Sequence, residues 1–535
     1  MPDPQKNDPP LHRRSHGVAL WTAVGLLLFL LSAAWSAATP LMASPDEPSH
    51  VVKAAAVARG QWSGALGPAP TDTSRPGAGT IVQLPTDLAA SVSLPNCYAF
   101  RSEQSADCVP ALPARTGRDV PAETFAGQYP PLYYALVGWP SLLLTGEAAL
   151  YGMRLASAAI SALMLTWGAF RLSTVRANRL TLWGAVVAIT PMSLFLAGTV
   201  NPAGWEIAAA FSFWAACLAI VSRDGRLGTG VLVQAAVSGA ALVNIRASSP
   251  VWALAIVVVA AVVAPPGRLR ELIRHRLAAW LGGVAVLASV AALGWILLHG
   301  AVVSARNLYP QFSDPKFTIL GINGRGFEYL QNMIGNFGWL DTPAPPLTYV
   351  AWSFAAGALI LLSLSAATRA RSKAGLVLLL GGVAAAPYIL QVPIAANAGL
   401  IWQGRYALPV AVGVPLLAAL LLGEQRPVVV EFLRRVLRAT VPLAVVGHVA
   451  AFYWASRRYS VGASGHLISF SPHWSSPIGY LTGTALYAVL CTALAVVVWR
   501  GTGPVPVRSE PDPVLAEPAA GTHLDHALGQ GRAHT

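Results

Sequence analysis

The chain has 535 residues, 55% of them hydrophobic and only 11% charged, with a formal net charge of +13. A soluble domain carries about 25% charged residues, so the composition excludes one and defines an all-α polytopic membrane protein. Nucleic acid is excluded as a partner, because the basic residues lie in short loops between apolar runs, where the positive-inside rule places them.

His12-Arg13-Arg14 precedes the first apolar run, Trp21 to Thr39, which is long enough to cross a bilayer at roughly 20 residues. The run ends on Thr39-Pro40 and reads as a retained anchor with a cytoplasmic N-terminus. About twelve spans fit the Arg pattern, near 18–39, 150–170, 180–198, 205–222, 228–244, 250–265, 277–299, 347–366, 374–393, 405–422, 439–456 and 479–499. The loops this assigns to the cytoplasm hold Arg171/Arg176/Arg179, Arg223/Arg226, Arg268/Arg270/Arg274/Arg276, Arg369/Arg371/Lys373 and Arg434/Arg435/Arg438. Tyr129 to Leu144 is apolar but short and broken by Pro140, and is expected to be re-entrant or to lie on the outer face. The transmembrane domain then covers 18–500, with large extracytoplasmic loops at about 40–128 and 300–346. A cytoplasmic tail (1–17) precedes it and a tail rich in Pro, Gly, Ala and His (501–535), expected to be disordered and cytoplasmic, follows it.

The first outer loop opens with Ser44-Pro45-Asp46-Glu47-Pro48-Ser49-His50. Two carboxylates and a histidine thus sit where the chain leaves the membrane, a depth at which ionisable groups are costly and kept mostly for function. Pro48 suits the first turn of a helix running on through His50 to Arg59. With Val52, Ala55 and Ala56 on one side and Lys53 and Arg59 on the other, that helix is expected along the membrane surface. The bland alternative is that the acids cap a surface helix and His50 is solvated. Three such residues in five positions are a weak metal signal, so a divalent ion is left open and no cofactor is assigned. Cys97 and Cys108 share the same loop, and an oxidising exterior allows a disulfide between them. Cys217 and Cys491 fall within spans as apolar packing residues.

Arginine is disfavoured at outer membrane ends, yet Arg154, Arg246 and Arg405 fall there. Each calls for an anion, with Asp46, Glu47, Glu147, Glu206, Asp341 or a lipid phosphate as candidates.

The first span with Ser-Pro-Asp-Glu-Pro-Ser-His, then Gln128-Tyr129-Pro130-Pro131-Leu132-Tyr133-Tyr134, Gly335-Asn336-Phe337-Gly338-Trp339-Leu340-Asp341 and Gln403-Gly404-Arg405-Tyr406 together resemble the bacterial DUF2142 membrane proteins, from about Trp21 to Trp499. That family is grouped with the GT-C glycosyltransferases, and Pro-Pro-Leu-Tyr-Tyr is similar to a segment of that wider group. The resemblance implies a GT-C-like fold in the bacterial cytoplasmic membrane with its active site facing outward. It implies an inverting transfer from a polyprenyl-phosphate sugar donor to an envelope glycan, lipid or protein acceptor. The catalytic acid of such enzymes follows the first span, the place of Asp46, with Glu47 and His50 in support. Arg405, Tyr406, Gln403, Arg246, Arg154, Trp339, Asp341 and Tyr133 become the substrate-binding candidates, with Trp62, Tyr98 and Trp402 as further aromatics for sugar faces. One departure stands out: where the family pattern reads Asn-Pro-Asp, this chain has Asn201-Pro202-Ala203-Gly204-Trp205-Glu206. The competing reading is a transporter or lipid flippase, but transport sites lie near the bilayer midplane, and here the ionisable residues gather at span ends.

Overall fold

The computed structural model describes residues 11–67, 79–175, 178–222, 227–299, 307–367, 369–425 and 440–501, together with positions 430, 432, 435 and 438. The tails expected at 1–17 and 501–535 fall largely outside these residues. The described residues are mostly helical, and eight of their helices are long and apolar enough to cross a membrane. Each of the expected spans coincides with a helix, but not all are full spans. Those at Thr229–Val243 and Ser249–Val263 have 15 residues each, about 22 Å at 1.5 Å per residue against a hydrocarbon core of roughly 30 Å. The span expected at 180–198 is two pieces, ending at Ala188 and resuming at Pro191, bent by 65°. Pro191 takes the first helical turn, where its missing N–H is not needed, and Thr190 caps it by accepting from the Ser193 N–H. The helix at Thr440–Val461 is long enough to cross but more polar than the eight.

The Pro202–Val221 helix is the hub, buried along its whole length. Gly146–Thr174 packs on one side of it and on the first helix, α1 (Leu11–Ala38). Near the end of α1, Trp35 lies among Phe195, Phe337, Phe452 and Tyr487, and its indole N–H donates to the Tyr487 hydroxyl at 3.0 Å. That contact ties both terminal spans to the Asn336–Phe337/Thr342–Pro343 hairpin.

The first large loop, expected on the outer side, is folded. Its first helix, α2 (Glu47–Ala58), begins where the sequence places it, with Pro48 in its first turn. It is not the surface helix expected: ten of its 12 residues are buried. It is covered by the 132–143 segment and by a sheet of β1 (Ala65–Leu66), β2 (Thr80–Pro85) and β3 (Asp119–Thr124), antiparallel in the order β1-β2-β3. Lys53, placed on the polar side, is buried and donates to the Trp62 and Gly127 carbonyls. The Tyr129–Leu144 segment forms short helices at Leu132–Gly138 and Pro140–Leu143. Tyr133, Tyr134 and Val137 are buried, while Trp139, Leu142 and Leu143 are exposed, the pattern of a segment lying on the protein with one face outward.

Cys97 and Cys108 are joined, with Cα atoms 6.0 Å apart. The enclosed loop is gripped by Arg458, which donates to the carbonyls of Tyr98, Arg101 and Gln104 at 2.8–2.9 Å. Cys217 and Cys491 are free and buried. Replacing both loop cysteines by serine should lower stability by roughly 3 kcal/mol on the chain-entropy model, read as a lower thermal midpoint in detergent. Recovery of two separately alkylated thiols from unreduced protein would show that no bridge forms.

Candidate functional site

The turn between α1 and α2 carries two non-glycine residues in the left-handed region, Met42 at φ 65° and Asp46 at φ 63°. Such backbone costs about 1–3 kcal/mol per residue and persists only when its surroundings over-determine it. Here they do. Arg154 donates from Nε and Nη2 to the two Glu47 oxygens at 2.7 Å each, and from Nη1 and Nη2 to the carbonyls of Ser36, Thr39 and Pro40 at 2.7–3.0 Å. Tyr98 donates to the Leu41 carbonyl, Trp339 to that of Met42 and Asn201 to that of Pro45. Glu47 also accepts from the N–H groups of Ser44 and Val200.

This settles the division between the two acids. Glu47 and Arg154 are each 1% exposed and fully paired. All five guanidinium N–H groups of Arg154 are used; of the anions expected for it the structure supplies Glu47, and Arg154 is the pin of the turn. Asp46 points the other way: its carboxylate is 54% exposed and accepts from Arg405 Nη2 at 3.0 Å.

Arg405 is 1% exposed as a side chain. Its Nε donates to Gln403 Oε1 at 2.5 Å, and its buried Nη1 has no partner among the described residues. Gly404 makes this placement possible, since a Cβ there would collide with the Tyr329 carbonyl. Beside it the Arg246 guanidinium lies 4.7 Å from the Tyr406 ring centroid and 5.9 Å from that of Tyr129, with Nη1 3.7 Å from Glu206. Ser249 fixes the other Glu206 oxygen at 2.6 Å. Glu206 therefore stands in this chain as the partner of Arg246. Asn201, from the same segment, caps its helix through the Ala203 N–H while binding the acidic turn.

His50 lies under this group, its Nδ1 3.0 Å from the Tyr134 hydroxyl. Burial pushes its pKa down to about 3; Asp46 opposes the shift, and Arg246 and Arg405 add to it. His50 is thus neutral, and the charges of Asp46, Arg246 and Arg405 all bear on it. Among the described residues no group of three or more His, Cys, Asp or Glu side chains is disposed to hold a metal ion. The divalent ion left open on Asp46, Glu47 and His50 has no ligand set here, because Glu47 faces Arg154 and His50 faces Tyr134.

The other expected binding residues divide. Gln403 and Tyr406 join the cluster. Tyr133 does not: it is buried with its hydroxyl 3.0 Å from Ser157. Asp341 uses both oxygens on Thr342, Arg458 and the Phe100 N–H. Trp339 is half-buried beside Met42. Tyr98 and Trp402 are buried and offer no face, while Trp62 is exposed. Sequence reasoning missed Tyr129, Asn201, Lys53 and Arg458. Arg458 carried the signal used for the other arginines, since Arg457-Arg458 falls at an expected outer span end.

The fold and its charged cluster define a multi-pass membrane protein with a polar site at the ends of its spans. Residues 29–414 match the family DUF2142, described as a predicted membrane protein, and the chain belongs to it. No curated protein matches the chain. Among solved structures it is similar to ArnT from Cupriavidus metallidurans, bound to undecaprenyl phosphate and in the apo state. Both align at 15% identity and a TM-score of 0.41, covering 91% and 92% of this chain and 78% of theirs.

Two outcomes follow from this geometry. Glu47→Gln leaves Arg154 buried without its counter-charge and should cost about 3–5 kcal/mol, read as a large fall in thermal midpoint, whereas Asp46→Asn should cost far less. Equal losses would contradict the assignment. For His50, the folded-state pKa lies below the unfolded 6.5, so the unfolded chain binds the extra proton. Stability is complete above about pH 6.5 and falls as pH drops toward 3, by up to about 1.4 kcal/mol per pH unit. His50→Gln should flatten that part of the profile measured by thermal unfolding.

Proposed function

We propose that the protein is a GT-C-type glycosyltransferase. It moves a sugar from a polyprenyl-phosphate-linked donor to an extracytoplasmic envelope acceptor, with inversion, and Asp46 is the base. One observation carries this reading: a half-exposed carboxylate lies against a buried arginine that keeps an unpartnered N–H. A base open to an incoming hydroxyl and a donor open to an anion therefore occupy one place, at the end of the bundle that the arginine pattern assigns to the outside.

In the reaction the acceptor hydroxyl attacks the anomeric carbon while Asp46 takes its proton. The bond from that carbon to the phosphate oxygen breaks, and the lipid phosphate leaves with the electron pair. Arg405, through Nη1, and Arg246 meet the charge that develops on the phosphate, where a fixed cation in a water-poor site is most effective. Gln403 holds the Arg405 fork, and the Tyr406 ring centroid lies 5.3 Å from the Arg405 guanidinium and 4.7 Å from that of Arg246. His50 stays neutral beneath them and adds no repulsion. Glu47 acts only by setting the turn that aims Asp46.

The test is turnover of a radiolabelled polyprenyl-phosphate sugar by purified protein in lipid nanodiscs. Asp46→Asn is well chosen because asparagine tolerates φ 63° as well as aspartate does, so the turn survives while the base is lost. It should lower turnover by about 10²–10⁴-fold with undecaprenyl-phosphate binding retained. Arg405→Lys should weaken that binding, because a planar fork becomes a point charge. Normal turnover in Asp46→Asn would remove the base, and unchanged lipid binding in Arg405→Ala would remove the phosphate site.

A further inference from the structure

Phe100 is the most anomalous aromatic residue in the outer loops. It is 72% exposed, yet its backbone is held at φ 60°. A bulky residue gains nothing by itself from that conformation, and strain of this kind concentrates at functional sites. Its surroundings fix it firmly. The Phe100 N–H donates to Asp341 Oδ2 at 3.0 Å. The Cys97–Cys108 bridge closes the loop around it, and Arg458 binds the carbonyls on both sides, at Tyr98 and Arg101. The ring lies 5.6 Å from that of Trp339, with the planes inclined at 59°.

Trp339 is presented just as deliberately. It sits at the tip of the Asn336–Phe337/Thr342–Pro343 hairpin. Gly338 supplies the turn at φ 64°, where a Cβ would run into Asp341. The Trp339 indole N–H donates to the Met42 carbonyl at 3.1 Å. Asp46 is four residues further on, at most about 14 Å of extended chain. One carboxylate, Asp341, thus positions both the Phe100 backbone and the hairpin that carries Trp339.

We propose that Phe100 and Trp339 form a carbohydrate-binding platform that receives the acceptor glycan beside Asp46. This rests on the glycosyltransferase reading and names the surface that would take its second substrate. A sugar ring has apolar C–H faces and hydroxyl edges, so it fits an exposed aromatic pair rimmed by polar groups. That rim is present: Arg101, Glu103 and Asp107 are exposed on the same loop. The same charges disfavour lipid as the occupant. The contrast is the 467–470 segment, where Leu467, Ile468 and Phe470 are exposed in a stretch from Tyr459 to Trp499 with no charged residue. Pre-set rings lose little freedom on binding, which favours affinity for a weakly held ligand.

The probe is a printed panel of bacterial cell-wall and capsular oligosaccharides, tested against the full chain in nanodiscs with undecaprenyl-phosphate binding measured in parallel. The wild-type protein should retain glycans from the panel. Phe100→Gly removes the ring and relieves the backbone, so the thermal midpoint should hold within a few degrees while glycan binding falls about ten-fold. Phe100→Tyr should keep it. A readout without mutation is hydroxyl-radical footprinting, in which a retained glycan should shield Phe100. Glycan binding unchanged in Phe100→Gly, or a Phe100 already shielded by the nanodisc bilayer without glycan, would overturn the platform. A protein that binds undecaprenyl phosphate but no glycan would overturn the platform alone. One that binds neither would remove the glycosyltransferase reading with it.

Discussion

The buried pair of Glu47 and Arg154 is the constraint on which the rest of the site depends. A charge out of water is tolerated only when its partners are complete, and here they are complete on both sides. Arg154 joins the Gly146–Thr174 helix to the last turn of α1 and to the first residue of α2. The interaction therefore does more than neutralise two charges. It gathers the Ser36 carbonyl from the last turn of α1 and those of Thr39 and Pro40 just beyond it, and it closes the turn in which Met42 and Asp46 hold left-handed backbone. If that clasp were loosened, Asp46 would have no reason to keep its direction.

The two acids illustrate how little local sequence decides in such a turn. Asp46 and Glu47 are adjacent, both suited to a helix N-terminus and both plausible as bases. Their environments separate them because successive residues there project to different sides, one toward Arg154 in the interior and one toward Arg405 at the opening. The same sorting applies to the arginines. Arg154 is saturated with carbonyl and carboxylate acceptors and acts as a pin; Arg458 grips its loop through Nη1 and Nη2 alone, and its buried Nε has no partner among the described residues. Arg405 keeps a buried N–H with no partner among the described residues, and Arg246 is set against tyrosine faces with a carboxylate at 3.7 Å. In a low-dielectric setting an unpartnered N–H is costly, so Arg405, which also meets the half-exposed Asp46 carboxylate, is placed to gain from a bound anion.

Ala203 stands where the sequence resemblance expected an aspartate. Asn201 and Pro202 keep the helix start, and Asn201 still reaches the acidic turn through the Pro45 carbonyl. Glu206, about one turn along the same helix, faces Arg246. The acidic contribution of this segment is thus directed to charge balance at the second arginine.

Much of the molecule was legible in the order of its residues. Apolar runs of span length and basic short loops determined the helices, because a bilayer imposes length and charge on any chain that crosses it. Pro48 marked the start of α2, the loop cysteines their own pairing, and arginines at span ends the neighbourhood of the site. The periodicity of α2 misled, since a short helix rich in alanine looks amphipathic whether it meets lipid or, as here, a sheet and a second short helix. Only the tertiary structure decided which acid is buried, which arginine is saturated, and that Phe100 stands exposed beside Trp339. Those outcomes depend on contacts between residues 107 to 360 positions apart, and no local pattern records the partner that arrives from so far along the chain.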